Sequence, residues 1–165
     1  MTVKGHLVMP EDVAYIWDKV HPFLDRVQEH TEGELNSEDF LEPLTHGDMQ
    51  LWIFTKDNEV HSVMVTQIID YPQKKILRVI SLAGESFEEI KYFQENLEVF
   101  ALKMGCTALE LWGRKGWKKL LPDWNDTYIV YTKDLKMRMQ QCQVEQIKIL
   151  EVVEWVVGHK VVDPK

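Results

Sequence analysis

Cysteine is scarce in this chain: Cys106 and Cys142 are the two thiols in 165 residues, and their spacing is not that of a metal site. That excludes a disulfide scaffold and fits a reducing compartment. The six histidines (His6, His21, His30, His46, His61 and His159) show no HxxxH or carboxylate-linked spacing, so the sequence gives metal catalysis no support. No run approaches the ~18 uninterrupted apolar residues of a membrane span, and Met1 to His6 have no apolar core, so neither spanning nor export is expected. Positive charge is outnumbered, 19 Lys and Arg against 27 Asp and Glu, for a net charge of −8. Such a surface as a whole repels polyanions, which leaves nucleic-acid binding only to a local basic patch. Repeats, low-complexity tracts and Gly/Ser linkers are also missing. What remains is 45% hydrophobic and 28% charged, the make-up of an ordinary folded domain long enough to bury a core.

The apolar pattern changes period along the chain. Residues 3–9 suit a short strand. Pro10, Glu11 and Asp12 then open a helix whose stripe is Val13, Ile16, Trp17, Val20, Leu24 and Val27. Pro22 predicts a kink there, or two helices meeting at His21. A second helix is predicted from Ser37 to Gly47, with Phe40, Leu41 and Leu44 inward. Strands follow at 49–55, 61–69 and 76–82, joined by short turns, which implies an antiparallel meander. On the middle strand, Val63, Val65 and Gln67 share one face, and Met64, Thr66 and Ile68 the other. Ser86 and Glu89 have the spacing of a capping box for a helix ending at Gly105. A strand over 107–112 should then run parallel to its predecessor. A short helix or turn covers 114–121, and 127–132 reads as a further strand. Beyond Asp134, residues 135–146 look helical and 147–157 suit either type.

This order of elements resembles the GNAT superfamily of N-acetyltransferases over residues 3–132. The resemblance implies an α+β fold with a mixed, mostly antiparallel sheet and helices on both faces. Residues 1–134 would form that domain, and 135–165 an extension packing on the domain or on a partner. Local segments are closer still to one group. Leu51-Trp52-Ile53, Tyr71-Pro72-Gln73-Lys74-Lys75, Leu82-Ala83-Gly84, Met104-Gly105-Cys106 and Gly113-Arg114-Lys115-Gly116-Trp117 resemble GNAT-like proteins encoded among the structural genes of tailed bacteriophages. The internal-virion-protein-A-like proteins of short-tailed phages are more distantly similar.

GNAT enzymes hold the acyl-CoA pyrophosphate on backbone N–H groups of a (Q/R)-x-x-G-x-(G/A) loop before the long helix. The corresponding residues here are Ser81-Leu82-Ala83-Gly84-Glu85-Ser86. One glycine is present, the preceding Gln/Arg and the spaced second glycine are missing, and Glu85 puts a carboxylate where phosphate would sit. The expectation is therefore a degenerate acyl-CoA site with no cofactor. An active acetyl-CoA-dependent N-acyltransferase is the alternative, with Ala83, Gly84, Arg114, Lys115 and Gly116 on the cofactor.

Glu110 alternates onto one strand face with Ala108 and Trp112, where enclosure would raise its pKa toward that of a general base. The simpler expectation is a carboxylate paired with Arg78 or Arg114. Cys106 reads as a small buried hydrophobe, and Tyr128 and Tyr131 as strand aromatics before they read as acids. Four cations and an indole fall within residues 113–119, which suits an anion platform and a solvated turn equally. Trp17, Trp52 and Trp112 fit core faces. Trp117, Trp124 and Trp155 are candidates for partial exposure, and Trp117, Lys118 and Trp155 for partner contact. The function expected is protein–protein contact in virion assembly or as a virion component. Other phage structural proteins or a second copy would be the partner, in the host cytoplasm or the particle. A nucleotide or nucleic-acid modifier using residues 114–119 is the weaker rival.

Overall fold

The computed structural model describes residues 3–29, 34–84, 90–113, 116–126 and 129–133. The chain divides into two compact units, Met1–Asn125 and Asp126–Lys165, and every helix and strand described here belongs to the first.

Pro10 sits where a missing N–H costs nothing, at the start of a single 3-10 turn, Pro10–Asp12, which leads into α1 (Val13–Gln28). Val13, Val20 and Leu24 are buried along one stripe. The predicted break at Pro22 does not divide this helix, which is one continuous element. Pro22 and Asp18, the residue whose carbonyl it strands, are both exposed, so water can satisfy that carbonyl while the opposite stripe holds the helix.

Helix α2 (Ser37–His46) begins where expected, with Asn36 as its cap. The Asn36 side chain accepts from the Asp39 N–H at 3.1 Å, and Asp39 Oδ2 accepts from the Asn36 N–H at 2.8 Å. Gly47, at φ 83°, closes it.

Strands β2 (Gln50–Lys56), β3 (Glu59–Tyr71) and β4 (Lys74–Gly84) form the meander. Asp57 and Asn58, at φ 52° and 66°, make the two-residue turn that suits twisted strands. β1 (Lys4–Val8) joins antiparallel to β2. After α3 (Ile90–Lys103), β5 (Ala108–Leu111) returns parallel to β4, so the sheet order is β1-β2-β3-β4-β5. Helix α4 (Trp117–Leu120) is a single turn.

The alternation of β2 and β3 separates two cores. Leu51, Val63 and Val65 pack with α1 and α2 through Val20, Leu24, Phe40 and Leu44. Trp52, Phe54 and Met64 pack on the other face with Phe93, Leu97 and Ala101 of α3. The indole of Trp52 is satisfied inside this core, donating to Thr66 Oγ1 at 3.0 Å, and that hydroxyl donates to Gln50 at 3.0 Å. Cys106 is buried beside them, as expected, and burial pushes its thiol pKa above the ordinary value.

Residues 129–133 carry no strand, against the expectation for 127–132. Ile129, Val130 and Tyr131 are all exposed, and β-propensity without burial does not make a strand. The Ser86/Glu89 capping box, Tyr128, Cys142, Trp155 and the 135–165 extension lie outside the described residues.

Candidate functional site

The sheet opens between β4 and β5. The two strands pair from Ile76↔Ala108 to Val79↔Leu111, and there the ladder stops, while β4 stays paired with β3 to Gly84. A bulge falls at this point, because Val65 pairs with Ser81 and Thr66 with Val79, leaving Ile80 as the extra residue. Past Val79, the outer edge of β4 has no strand partner among the described residues. Bulge and divergence together make a notch, with the start of α3 as the next described element along the chain.

On its α3 side the notch is packed with side chains. Val79, Leu82, Leu111, Trp117, Leu121 and Trp124 line a chamber of about 30 Å³. Ligand pockets usually offer ~300–1,000 Å³. Trp117 and Trp124 are half-buried here, as their composition-based placement suggested. Gly113 makes the arrangement of Trp117 possible, since a Cβ at 113 would come within 2.4 Å of the indole. Gly116 has open space around it and an ordinary φ of −62°.

At the end of β4, Gly84 pairs directly with Ser62, and a Cβ at 84 would lie 2.3 Å from the Ser62 Cβ. Close strand approach therefore accounts for this glycine without any ligand. Ala83 is buried in the same strand. The Ser81 hydroxyl is buried and makes no hydrogen bond among the described residues.

Glu110 is held by its neighbours. Arg78 faces it across the β4–β5 pair, and Arg78 Nε donates to Glu110 Oε1 at 2.5 Å. The Trp112 indole donates to the same oxygen at 2.9 Å, and the Arg78 guanidinium lies over the Trp112 ring, 4.4 Å from its centroid. Arg78 Nη2 also donates to the Tyr71 hydroxyl at 2.8 Å. Trp112 is thus not a core residue, as its alternation suggested, but is 64% exposed. β5 ends at Leu111, so the indole leaves the sheet and lies on Arg78 instead. Sequence reading named Arg78 only as a partner for Glu110 and gave Tyr71 no role in this cluster; the i, j register of β4 against β5 was the available signal.

Of the basic turn, Lys118 donates from Nζ to the Trp124 carbonyl at 2.7 Å, bracing the segment after α4. Lys119 is exposed, and Arg114 and Lys115 lie outside the described residues. Among the described residues no group of three His, Cys, Asp or Glu side chains could hold a metal ion, and no helix is long and apolar enough to cross a membrane.

No family model matches the chain, and no curated protein matches it in sequence. Solved structures do match its fold. An aminoglycoside acetyltransferase from an uncultured soil metagenomic sample, crystallised with sisomicin, superposes with a TM-score of 0.62 at 13% identity, covering 81% of this chain and 97% of that one. A predicted acetyltransferase from Clostridium acetobutylicum, crystallised with acetyl-CoA, gives 0.57 at 11% identity, covering 85% and 98%. The ribosomal-protein-alanine N-acetyltransferase of Brucella melitensis gives 0.55 at 11%, covering 84% and 99%. The fold is that of the GNAT acetyltransferases, as the element order implied.

Proposed function

We propose that this chain is a GNAT-fold protein whose acyl-CoA cleft is filled by its own side chains and which works by contact with other proteins. The observation that carries this reading is the packed notch. A pantetheine arm does not fit a chamber of about 30 Å³ lined by Trp117, Leu121 and Trp124. Two further features point the same way. Gly84 is occupied with Ser62, and the Glu110 carboxylate is engaged by Arg78 and Trp112 instead of standing free as a base. The segments that resemble phage structural-gene proteins support a place in virion assembly or in the particle, with other structural proteins or a second copy as partner. Trp155 and the 135–165 extension would supply contact surface beyond the described residues.

A second reading is favoured by one observation, the divergence itself. The unpaired edge of β4 past Val79 offers backbone groups that the amides of a pantetheine arm could meet. In that reading the protein is an N-acyltransferase with an amine acceptor, Glu110 as base, and Ala83, Gly84, Arg114, Lys115 and Gly116 around acetyl-CoA. Calorimetric titration with acetyl-CoA separates the two. The expected result is no saturable heat, whereas micromolar affinity lost on Arg114→Ala would establish the second reading.

A further inference from the structure

A larger chamber adjoins that of the notch, sharing Phe54, Met64, Phe93 and Leu97 with it, and extends between α3 and the β1–β2 side of the sheet with a volume of about 270 Å³. Its walls are aromatic: Trp52 and Phe54 from β2, Phe93 and Phe100 from α3. Phe54 stacks on Phe93 with ring centroids 3.6 Å apart, and Trp52 meets Phe100 edge-on at 5.2 Å. Gly5 completes the wall on β1, where a Cβ would press within 2.9 Å of the Phe54 ring. The chamber stays open because a bare backbone faces it there.

The rim is polar on one side. Asn96, Val99 and Lys103 follow one another along a single stripe of α3, all three exposed. Lys103 is the sole charged residue of the lining and makes no ion pair among the described residues. Glu95 and Glu98, each one residue from that stripe in sequence, are absent from the lining, and Glu98 accepts a hydrogen bond from Gln94 at 2.8 Å. An ammonium and a carboxamide therefore stand at the mouth of an aromatic chamber that holds no negative charge.

We infer that this chamber binds a small aromatic carboxylate, with its ring between the Phe and Trp walls and its carboxylate at Lys103 and Asn96. The volume suits one or two fused rings, since a cavity of about 150 Å³ already holds benzene. Ring stacking and edge contacts select an aromatic over an aliphatic body. The two chambers share wall residues, but the rim residues Asn96, Val99 and Lys103 belong to this one alone, so substitutions there test the inference separately from acetyl-CoA binding at the notch.

The test is calorimetric titration of the full chain with 1-naphthoate and, separately, with the uncharged 1-naphthalenemethanol. Naphthoate should bind saturably and more tightly than the alcohol. Lys103→Gln should weaken naphthoate by about three- to fivefold, as an exposed ion pair predicts, and leave the alcohol unchanged. Val99→Trp, a filling change at an exposed position, should abolish both, with an unchanged circular dichroism spectrum showing that the variant is folded. Trp124→Phe, at the notch, should bind naphthoate like the parent. Failure of naphthoate to bind, equal affinity for acid and alcohol, or binding that survives Val99→Trp would each overturn the assignment.

Discussion

Arg78 reaches three partners at once. It meets the Glu110 carboxylate through Nε, the Tyr71 hydroxyl through Nη2 and the Trp112 ring through its flat face. A planar guanidinium can do all three together, which an ammonium could not. The Arg78 and Glu110 side chains keep 16% and 28% of their exposure, so water screens the pair only in part. Glu110→Gln should then lower stability by about 1–3 kcal/mol, while freeing the Trp112 indole to reorient. Urea unfolding measures the first effect and the tryptophan emission spectrum the second. A loss well beyond that range would mean the carboxylate carries structure that its two hydrogen bonds do not explain. The pairing of Arg78 with Glu110 was legible in the sequence, because strand alternation and a parallel crossover put the two opposite each other. The exposure of Trp112 was not, since alternation says nothing about where a strand stops.

Between elements, the contact at Gly84 decides whether the end of β4 was shaped by packing or by a ligand. Gly84→Ala should cost about 1–3 kcal/mol, because the new methyl meets a paired strand that cannot retreat. Ser62→Gly in the same chain should restore part of that loss, giving a coupling of about 0.5–3 kcal/mol between the two sites. Denaturant unfolding of the four-member cycle checks it, and additive losses would return Gly84 to a ligand-binding role. A second link joins α1 to α2. A hydrogen bond from Ser37, and then one from His21, hold the Asp25 carboxyl below its ordinary value of 3.8. A depressed folded pKa means this link is complete above the unfolded value and is lost as pH falls through the folded one. The unfolding midpoint should thus drop less steeply below about pH 4 in Asp25→Asn than in the parent. Most elements were legible in the sequence from caps and period: Pro10, Ser37, Gly47 and Gly105 all mark real boundaries. Pro22 misled because the cost of a helical proline can be met by solvent on an exposed face. Residues 129–132 misled because β-propensity needs a surface to pack against, which the sequence of the segment itself does not contain.

At the scale of the whole chain, charge and fold point to different partners, and their conflict can be tested. The net charge of −8 opposes any polyanion, whereas residues 113–119 gather four cations in seven residues of sequence. A local patch binds nucleic acid only if its cations are free to displace counterions from phosphate. Lys118 is already turned to the Trp124 carbonyl, and the indole of Trp117 lines the notch chamber instead of offering a stacking face. Trp117 and Lys118 are thereby engaged in packing beside the notch. The expected outcome is no shift of single- or double-stranded DNA or RNA in native gels at about 50 mM salt, where electrostatic binding is strong. If a shift is seen, falls steeply with added salt and is removed by Lys118→Ala together with Lys119→Ala, the turn is a nucleic-acid platform. In that event the packing of Trp117 beside the notch is incidental to its chemistry.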